Sequence, residues 1–260
     1  MRLVDTHCHL NFKAFHADFL AVAKKSAKKG VERAVIVGSS GSTSARALEV
    51  ARGINDKLGR MWAYVAVGIH PTHFDDIGSF SLIERLAEDK LVVAIGETGF
   101  DLYRMGEDSV PRQKELFDRH IELSKKTGKP LIFHNRNADE VFTTEIKRIQ
   151  GLRAVFHCFS TDHNFAKLVT DLGFYVSFTA KITYGNKKLK KVIKRTPIGR
   201  IMIETDAPYI VPEPQRSEGV ERNEPYLVME TAKKIAQIKE LEVDFVADKT
   251  TKNALDFFAL

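Results

Sequence analysis

Short apolar or β-branched runs alternate along this chain with longer stretches whose apolar residues recur at helical spacing. The runs are Leu3 to Asp5, Arg33 to Val37, Met61 to Val67, Val92 to Ile95, Leu131 to Phe133, Ala154 to Phe156, Phe174 to Phe178 and Arg200 to Ile203. Strand-like runs separated by amphipathic segments predict repeated βα units and a parallel sheet. The first helical stretch sets Phe15, Phe19, Val22 and Ala23 on one stripe, a core-forming face. Ser81-Leu82-Ile83-Glu84 has the form of a capping box, and Ser109, two residues before Pro111, marks another helix start. Gly30, Gly59, Gly128, Gly151 and Gly173 each fall shortly before the next run, where helix-ending glycines belong. The longest irregular segment runs from Ala207 to Pro225 and holds Pro208, Pro212, Pro214 and Pro225; loops of that length are often functional. Helical stretches at Tyr226 to Lys239 and Val243 to Phe258 close the chain.

Eight βα units in 260 residues fit the α/β class as one (β/α)8 TIM barrel, a single domain over residues 1–260. Hydrophobic content of 43% and charged content of 28% exclude a disordered chain. No apolar run reaches the roughly 18 residues that span a bilayer, and the early Asp5, His7 and His9 leave no signal-peptide core, so a cytoplasmic protein with no membrane partner is expected, and a monomer. Cys8 and Cys158 each adjoin a histidine on an expected strand; in a reducing compartment they are expected to be buried small hydrophobes rather than a disulfide. The formal charge of +6 is local: Lys181 to Arg200 holds eight basic residues and no acid, leaving the remainder at 32 basic and 34 acidic groups, a net of −2. Such a block is either a solvated helix face or an attractor of polyanions such as nucleic acid.

The chemistry lies at the strand ends. In a strand, residues i and i+2 share a face, so His7 and His9 can meet one ion. Nine histidines in 260 residues give a chance expectation of roughly 0.3 for a His-x-His, so this pair alone decides nothing. In a (β/α)8 barrel, however, active groups gather at the C-terminal ends of the strands. There the first run leads to His7 and His9, the fourth to Glu97, the fifth to His134, the sixth to His157 and the eighth to Glu204-Thr205-Asp206. Four imidazoles and two carboxylates, Glu97 and Asp206, are too many for one tetrahedral ion with an open position and suit two divalent ions sharing a carboxylate, for which Glu97 is expected. Such a pair brings the pKa of water near neutrality, a nucleophile without serine or cysteine. Asp206 is expected both to ligate and to accept the proton of the attacking water. Arg136 and Arg222 are expected to contact phosphate oxygens. Nitrogen and oxygen donors together admit Zn, Mn, Co or Mg.

The motifs Asp5-Thr6-His7-Cys8-His9, Gly68-Ile69-His70-Pro71, Gly96-Glu97-Thr98-Gly99-Phe100-Asp101, His134-Asn135-Arg136, His157-Cys158-Phe159-Ser160, Glu204-Thr205-Asp206-Ala207-Pro208 and Arg222-Asn223-Glu224-Pro225 resemble, in order and over nearly the whole chain, the TatD family of metal-dependent DNases in the amidohydrolase superfamily. The resemblance implies a (β/α)8 barrel that hydrolyses phosphodiester bonds of DNA with divalent ions, as an exonuclease acting on single strands or ends. It implies His7, His9, Glu97, His134, His157 and Asp206 as metal ligands, His70 as a group beside the substrate or behind the ligands, and Asp101 as a partner behind them. Asn135, Thr161 and Ala180 depart from the family's usual residues without removing a ligand. Two other readings stand beside it: a TatD-like deacylase that removes D-amino acids from tRNA, and a non-catalytic barrel that binds nucleic acid. Intact residues at all five strand ends argue against the latter.

Overall fold

Each of the eight apolar runs becomes a strand in the computed structural model, which describes residues 1–260. The strands are β1 (Leu3–Cys8), β2 (Val31–Val37), β3 (Ala63–Val67), β4 (Val92–Asp101), β5 (Leu131–Arg136), β6 (Ala154–Phe156), β7 (Tyr175–Phe178) and β8 (Ile201–Ile203). They pair in parallel in the order β1 to β8, with helices between them, as a nearly closed (β/α)8 barrel. β1 and β8 meet through a single parallel bridge, Cys8 to Ala207. His9 N–H donates to the Ala207 carbonyl at 2.7 Å and Asp206 N–H to that of His7 at 2.9 Å. Buried Asp5 reinforces the seam, accepting from the Thr205 N–H at 2.9 Å and the Thr205 hydroxyl at 2.6 Å.

The pleat divides the core in two. Val4, Val35, Val37, Ala66, Ala94, Ile132, Val155 and Met202 fill the barrel together with Ala254, Phe257 and Phe258 of the last helix, Val243–Phe258. Their neighbours, including Ile36, Val65, Ile95 and Phe133, join the larger cluster between strands and helices. There Phe100, Phe117, Phe133, Phe142 and Phe156 pack with ring centroids 5.0–5.9 Å apart, a range in which edge and offset contacts are favourable.

The strands that carry the site are longer than the apolar runs announce. β1 continues to Cys8, β4 to Asp101 and β5 to Arg136. The added residues are polar because they line the mouth, so the hydrophobic run ends while the backbone ladder continues. The helix starts also differ from expectation. Helix Phe80–Leu86 begins at Ser79 without a side-chain cap, and Ser81 lies inside it, so the expected capping box does not form there. The box that does form joins Ser40 and Thr43 ahead of helix Gly41–Leu58; with threonine in place of Glu or Gln at the third position, it lacks the usual sequence signature. The expected irregular segment, Ala207 to Pro225, contains neither helix nor strand as far as Glu224, and Pro225 opens a short helical turn, Pro225–Leu227. No helix is long and apolar enough to cross a membrane.

Candidate metal centre

Two close backbone approaches shape the mouth. A Cβ on Gly68 would lie 2.5 Å from the carbonyl carbon of Gly96, and one on Gly99, whose φ is +136°, would lie 2.2 Å from the His134 carbonyl oxygen. Only glycine lets β4 press this closely on its neighbours. The β4–β5 register also shifts between Ile95 and Thr98. Strict alternation would put Glu97 on the same side as Ile95, which faces the helices; the irregularity brings it into the mouth.

Glu97 lies at the centre. Its Oε1 is 2.6 Å from His157 Nε2, 2.8 Å from His134 Nδ1 and 3.4 Å from His70 Nε2, while Oε2 lies 3.6 Å from His7 Nε2. His7 Nε2 and His9 Nε2 approach to 3.2 Å, and Asp206 Oδ1 stands 3.4 Å from His9 Nε2 and 3.8 Å from His7 Nε2. Three triads bring their ligand atoms within 4.8 Å of one another: His7, His157 and Asp206; His7, His9 and Glu97; His70, Glu97 and His134. Glu97, His7, His9, His70 and His157 are buried, whereas His134 and Asp206 are partly exposed toward a cavity of about 500 Å³.

Where a hydrogen bond forms on the far side of a ring, it decides which nitrogen of the neutral imidazole faces inward with a free lone pair. His9 Nδ1–H donates to the Val37 carbonyl at 2.9 Å, leaving Nε2 bare. His134 is turned the other way: Nε2 meets Asp101 Oδ2 at 3.2 Å, so Nδ1 is bare. His157 has Glu204 Oε1 3.4 Å behind Nδ1 and presents Nε2. The Nδ1 of His7 is buried without a partner. His70 differs. Its Nδ1 accepts the Thr72 N–H at 3.1 Å, so the neutral ring carries its proton on Nε2 and points an N–H at Glu97. His70 therefore shares the cluster by distance but enters it as a donor.

Bare imidazole nitrogens 3.2–3.3 Å apart, His7 beside His9 and His134 beside His157, repel unless a cation or proton lies between them. The charge states show the same crowding. Burial is the largest influence on Glu97 and opposes its ionisation, yet the attraction of His157 and His70 and the close approach of His134 and His157 hold it well below the carboxylate range. Burial likewise disfavours a charged His157, but Glu97 and Glu204 hold its imidazole well above the usual value. Burial and then His157 push His7 well below it, and burial takes His70 down to about 4. A nitrogen and carboxylate set this dense, with lone pairs aimed at common points, fits divalent cations.

A family profile described as TatD related DNase matches residues 4–259. The chain belongs to the TatD family. Its curated relatives in this family of metal-dependent hydrolases include the uncharacterized metal-dependent hydrolase YabD of Bacillus subtilis, 36% identical, and YcfH of Escherichia coli K12, 34% identical. The match to YabD covers 99% of each chain, and that to YcfH covers 99% of this chain and 96% of the relative. Among solved structures, the TatD homologue YJJV of Escherichia coli K12 is 27% identical with a TM-score of 0.88, over 100% of this chain and 98% of that one. A TatD-family hydrolase of Entamoeba histolytica shares the fold at a TM-score of 0.90 and 21% identity, over 99% of this chain and 98% of that one.

In this TatD-family chain the six expected ligands come together at the mouth, with His70 among them and Asp101 behind His134. Arg136 lines the cavity with its guanidinium 4.1 Å from the Tyr103 ring centroid. Arg222 departs from expectation. It gives its donors to Asp18 at 2.7 and 3.1 Å, Glu224 at 3.2 Å and the Ala14 carbonyl at 2.7 Å, lies over Phe15, and is not among the cavity-lining residues. It ties the long loop to the first helical segment because two carboxylates are nearer than the mouth. Cys8 is buried, as expected; Cys158 is free but lines the cavity instead of packing in the core. Of the basic block, Lys181 reaches the cavity, while Lys187, Lys188, Lys190 and Lys191 stand exposed on helix Lys187–Arg195, whose Leu189, Val192 and Ile193 are buried. Asn135 accepts the Ala138 N–H and donates to Asp139, securing the turn into helix Asp139–Ile149.

Sequence reasoning missed Glu204 as a participant. It is buried, takes the Cys158 N–H at 2.6 Å and stands behind His157. Its place two residues before Asp206 put it at the right strand end, but nothing in the spacing distinguishes a ligand from its support.

Proposed function

We propose that this protein hydrolyses phosphodiester bonds of DNA, trimming a strand from its end, with two divalent ions that His7, His9, Glu97, His134, His157 and Asp206 would hold. The observation that carries this reading is the division of Glu97: Oε2 faces His7, and Oε1 faces His134 and His157. Ions bound there supply Lewis acidity and bring water to a nucleophilic state near neutral pH. The chain does the rest. Burial opposes ionisation of Asp206, yet the nearby His9 and His7 hold it below its usual pKa, so it would be ionised and able to accept a proton at Oδ1. His70, at the cavity wall, points its Nε2–H at Glu97 Oε1 and would hold that carboxylate in place. Arg136 and Lys181 on the wall attract phosphate.

Labelled single-stranded DNA and D-aminoacyl-tRNA, each incubated with the protein with and without a chelator, test the assignment. Shortening of the DNA that the chelator abolishes is the expected result. Cleavage of the tRNA ester alone would assign the site to deacylation, and binding without turnover of either would leave a nucleic-acid-binding barrel.

A further inference from the structure

Six tyrosines occur in the chain, and the three exposed ones follow the C-terminal ends of strands. Tyr103 lies in the turn Leu102–Met105 after β4, Tyr184 ends the turn Ala180–Tyr184 after β7, and Tyr209 follows β8. Their exposures are 64%, 38% and 55%; Phe245 is the other exposed aromatic residue, at 41%. Two of the three carry a guanidinium on one face. Arg136 is 4.1 Å from the Tyr103 centroid, and Arg216 is 4.7 Å from that of Tyr184, whose hydroxyl is fixed by a 2.6 Å hydrogen bond to the Val211 carbonyl. Tyr209 lines the cavity with Lys181, its ring 6.4 Å from that of His9. Ile210 lines both this cavity and a groove of about 480 Å³ that contains Tyr184 and Arg216, so the two lie side by side.

We propose that Tyr103, Tyr209 and Tyr184, with Arg136, Lys181 and Arg216 among them, form a base-stacking track that holds the single-stranded end of a nucleic acid across the mouth of the metal centre. The physical reason is the combination. An exposed ring offers an apolar face to any base, while a cation beside it meets the phosphate of the same nucleotide, as proteins that hold single strands without reading sequence require. A duplex has its bases stacked on one another and cannot use the rings. The track deepens the reading above and rests on it for the identity of the occupant as a nucleic acid.

The test measures binding separately from cleavage. Fluorescence anisotropy with the metal-loaded protein compares three labelled probes: a phosphorothioate-linked thymidylate strand, an abasic strand of the same length and linkage, and a blunt duplex. The thymidylate strand should bind most tightly. Tyr103→Ala and Tyr209→Ala should each weaken it about five- to 150-fold while leaving the abasic strand unchanged, and Tyr→Phe at either position should restore wild-type affinity. Equal binding of thymidylate and abasic strands, or alanine variants that bind like wild type, overturns the track. If ordinary DNA is cut but these variants are unaffected, the track fails and the hydrolase reading stands. If the strand is held through the tyrosines but never cut, the track stands and DNA hydrolysis fails. No binding of any probe removes the track.

Discussion

His120 gives this fold a measurable acid sensitivity that is separate from the metal-binding side chains. It is fully buried on helix Val110–Thr127, with its Nδ1–H donating to the Leu116 carbonyl at 2.8 Å and its Nε2 accepting the Ile69 N–H at 3.0 Å. The Ile69 bond fixes the backbone one residue before His70. Burial brings its pKa down to about 4, against a usual 6.5. Because the folded value lies below the unfolded one, the associated stability is whole above about pH 6.5 and is lost as pH falls toward 4. At about pH 5 an unfolded imidazole is almost fully protonated and the native one mostly neutral. The loss between about pH 7.5 and 5 is therefore about 2 kcal/mol, out of about 3 kcal/mol in total. In His120→Gln, the side-chain oxygen can still accept from Ile69 but cannot titrate. Urea unfolding of both proteins after chelator treatment, at the two pH values, should show a stability loss about 2 kcal/mol smaller in the variant. Equal losses in the two proteins would refute the assignment of this acid sensitivity to His120.

Glu204→Gln removes the charge behind His157 while nearly keeping its shape, and should lower divalent-metal affinity by about 10- to 100-fold in titration calorimetry; a change under about twofold would mean that His157 needs no support at Nδ1. Replacing Lys187, Lys188, Lys190 and Lys191 by glutamate should weaken DNA binding at low salt and flatten its dependence on salt, because each lost phosphate contact reduces the logarithmic slope by about 0.7 for a single strand. An unchanged slope would show that this face of helix Lys187–Arg195 is merely solvated.

The barrel was legible because each strand is an apolar run and each helix an amphipathic stretch; β6 falls on the expected residues, and the others differ at their ends. The ends of β1, β4 and β5 were hidden for the reason that makes them functional: polar side chains facing the mouth break the hydrophobic pattern while the backbone stays paired. The convergence of His7, His9, Glu97, His134, His157 and Asp206 could be anticipated because a parallel barrel sends every strand's C-terminal end to one rim. The fate of Arg222 could not. Asp18 is 204 residues away in sequence, and no local pattern reports that the long loop folds back on it. The tyrosines were equally silent, since exposed and core aromatics look alike until the helices have covered one set and left the other.

What each strand end contributes is decided by the atoms behind it. His9 and His134 present opposite ring nitrogens, yet both offer a lone pair because the Val37 carbonyl and the Asp101 carboxylate take the proton on the other side. His70, only 3.3 Å from His134, offers a proton instead, because the Thr72 backbone N–H occupies its Nδ1. Residue type and spacing therefore identify which side chains reach the mouth, whereas the backbone groups and carboxylates behind them divide those side chains into cation ligands and a hydrogen-bond donor. For His9, His134 and His70 a hydrogen bond on the outer edge of the imidazole thus sets what the inner edge presents, and a substitution there changes the chemistry of the inner edge without touching the ring itself.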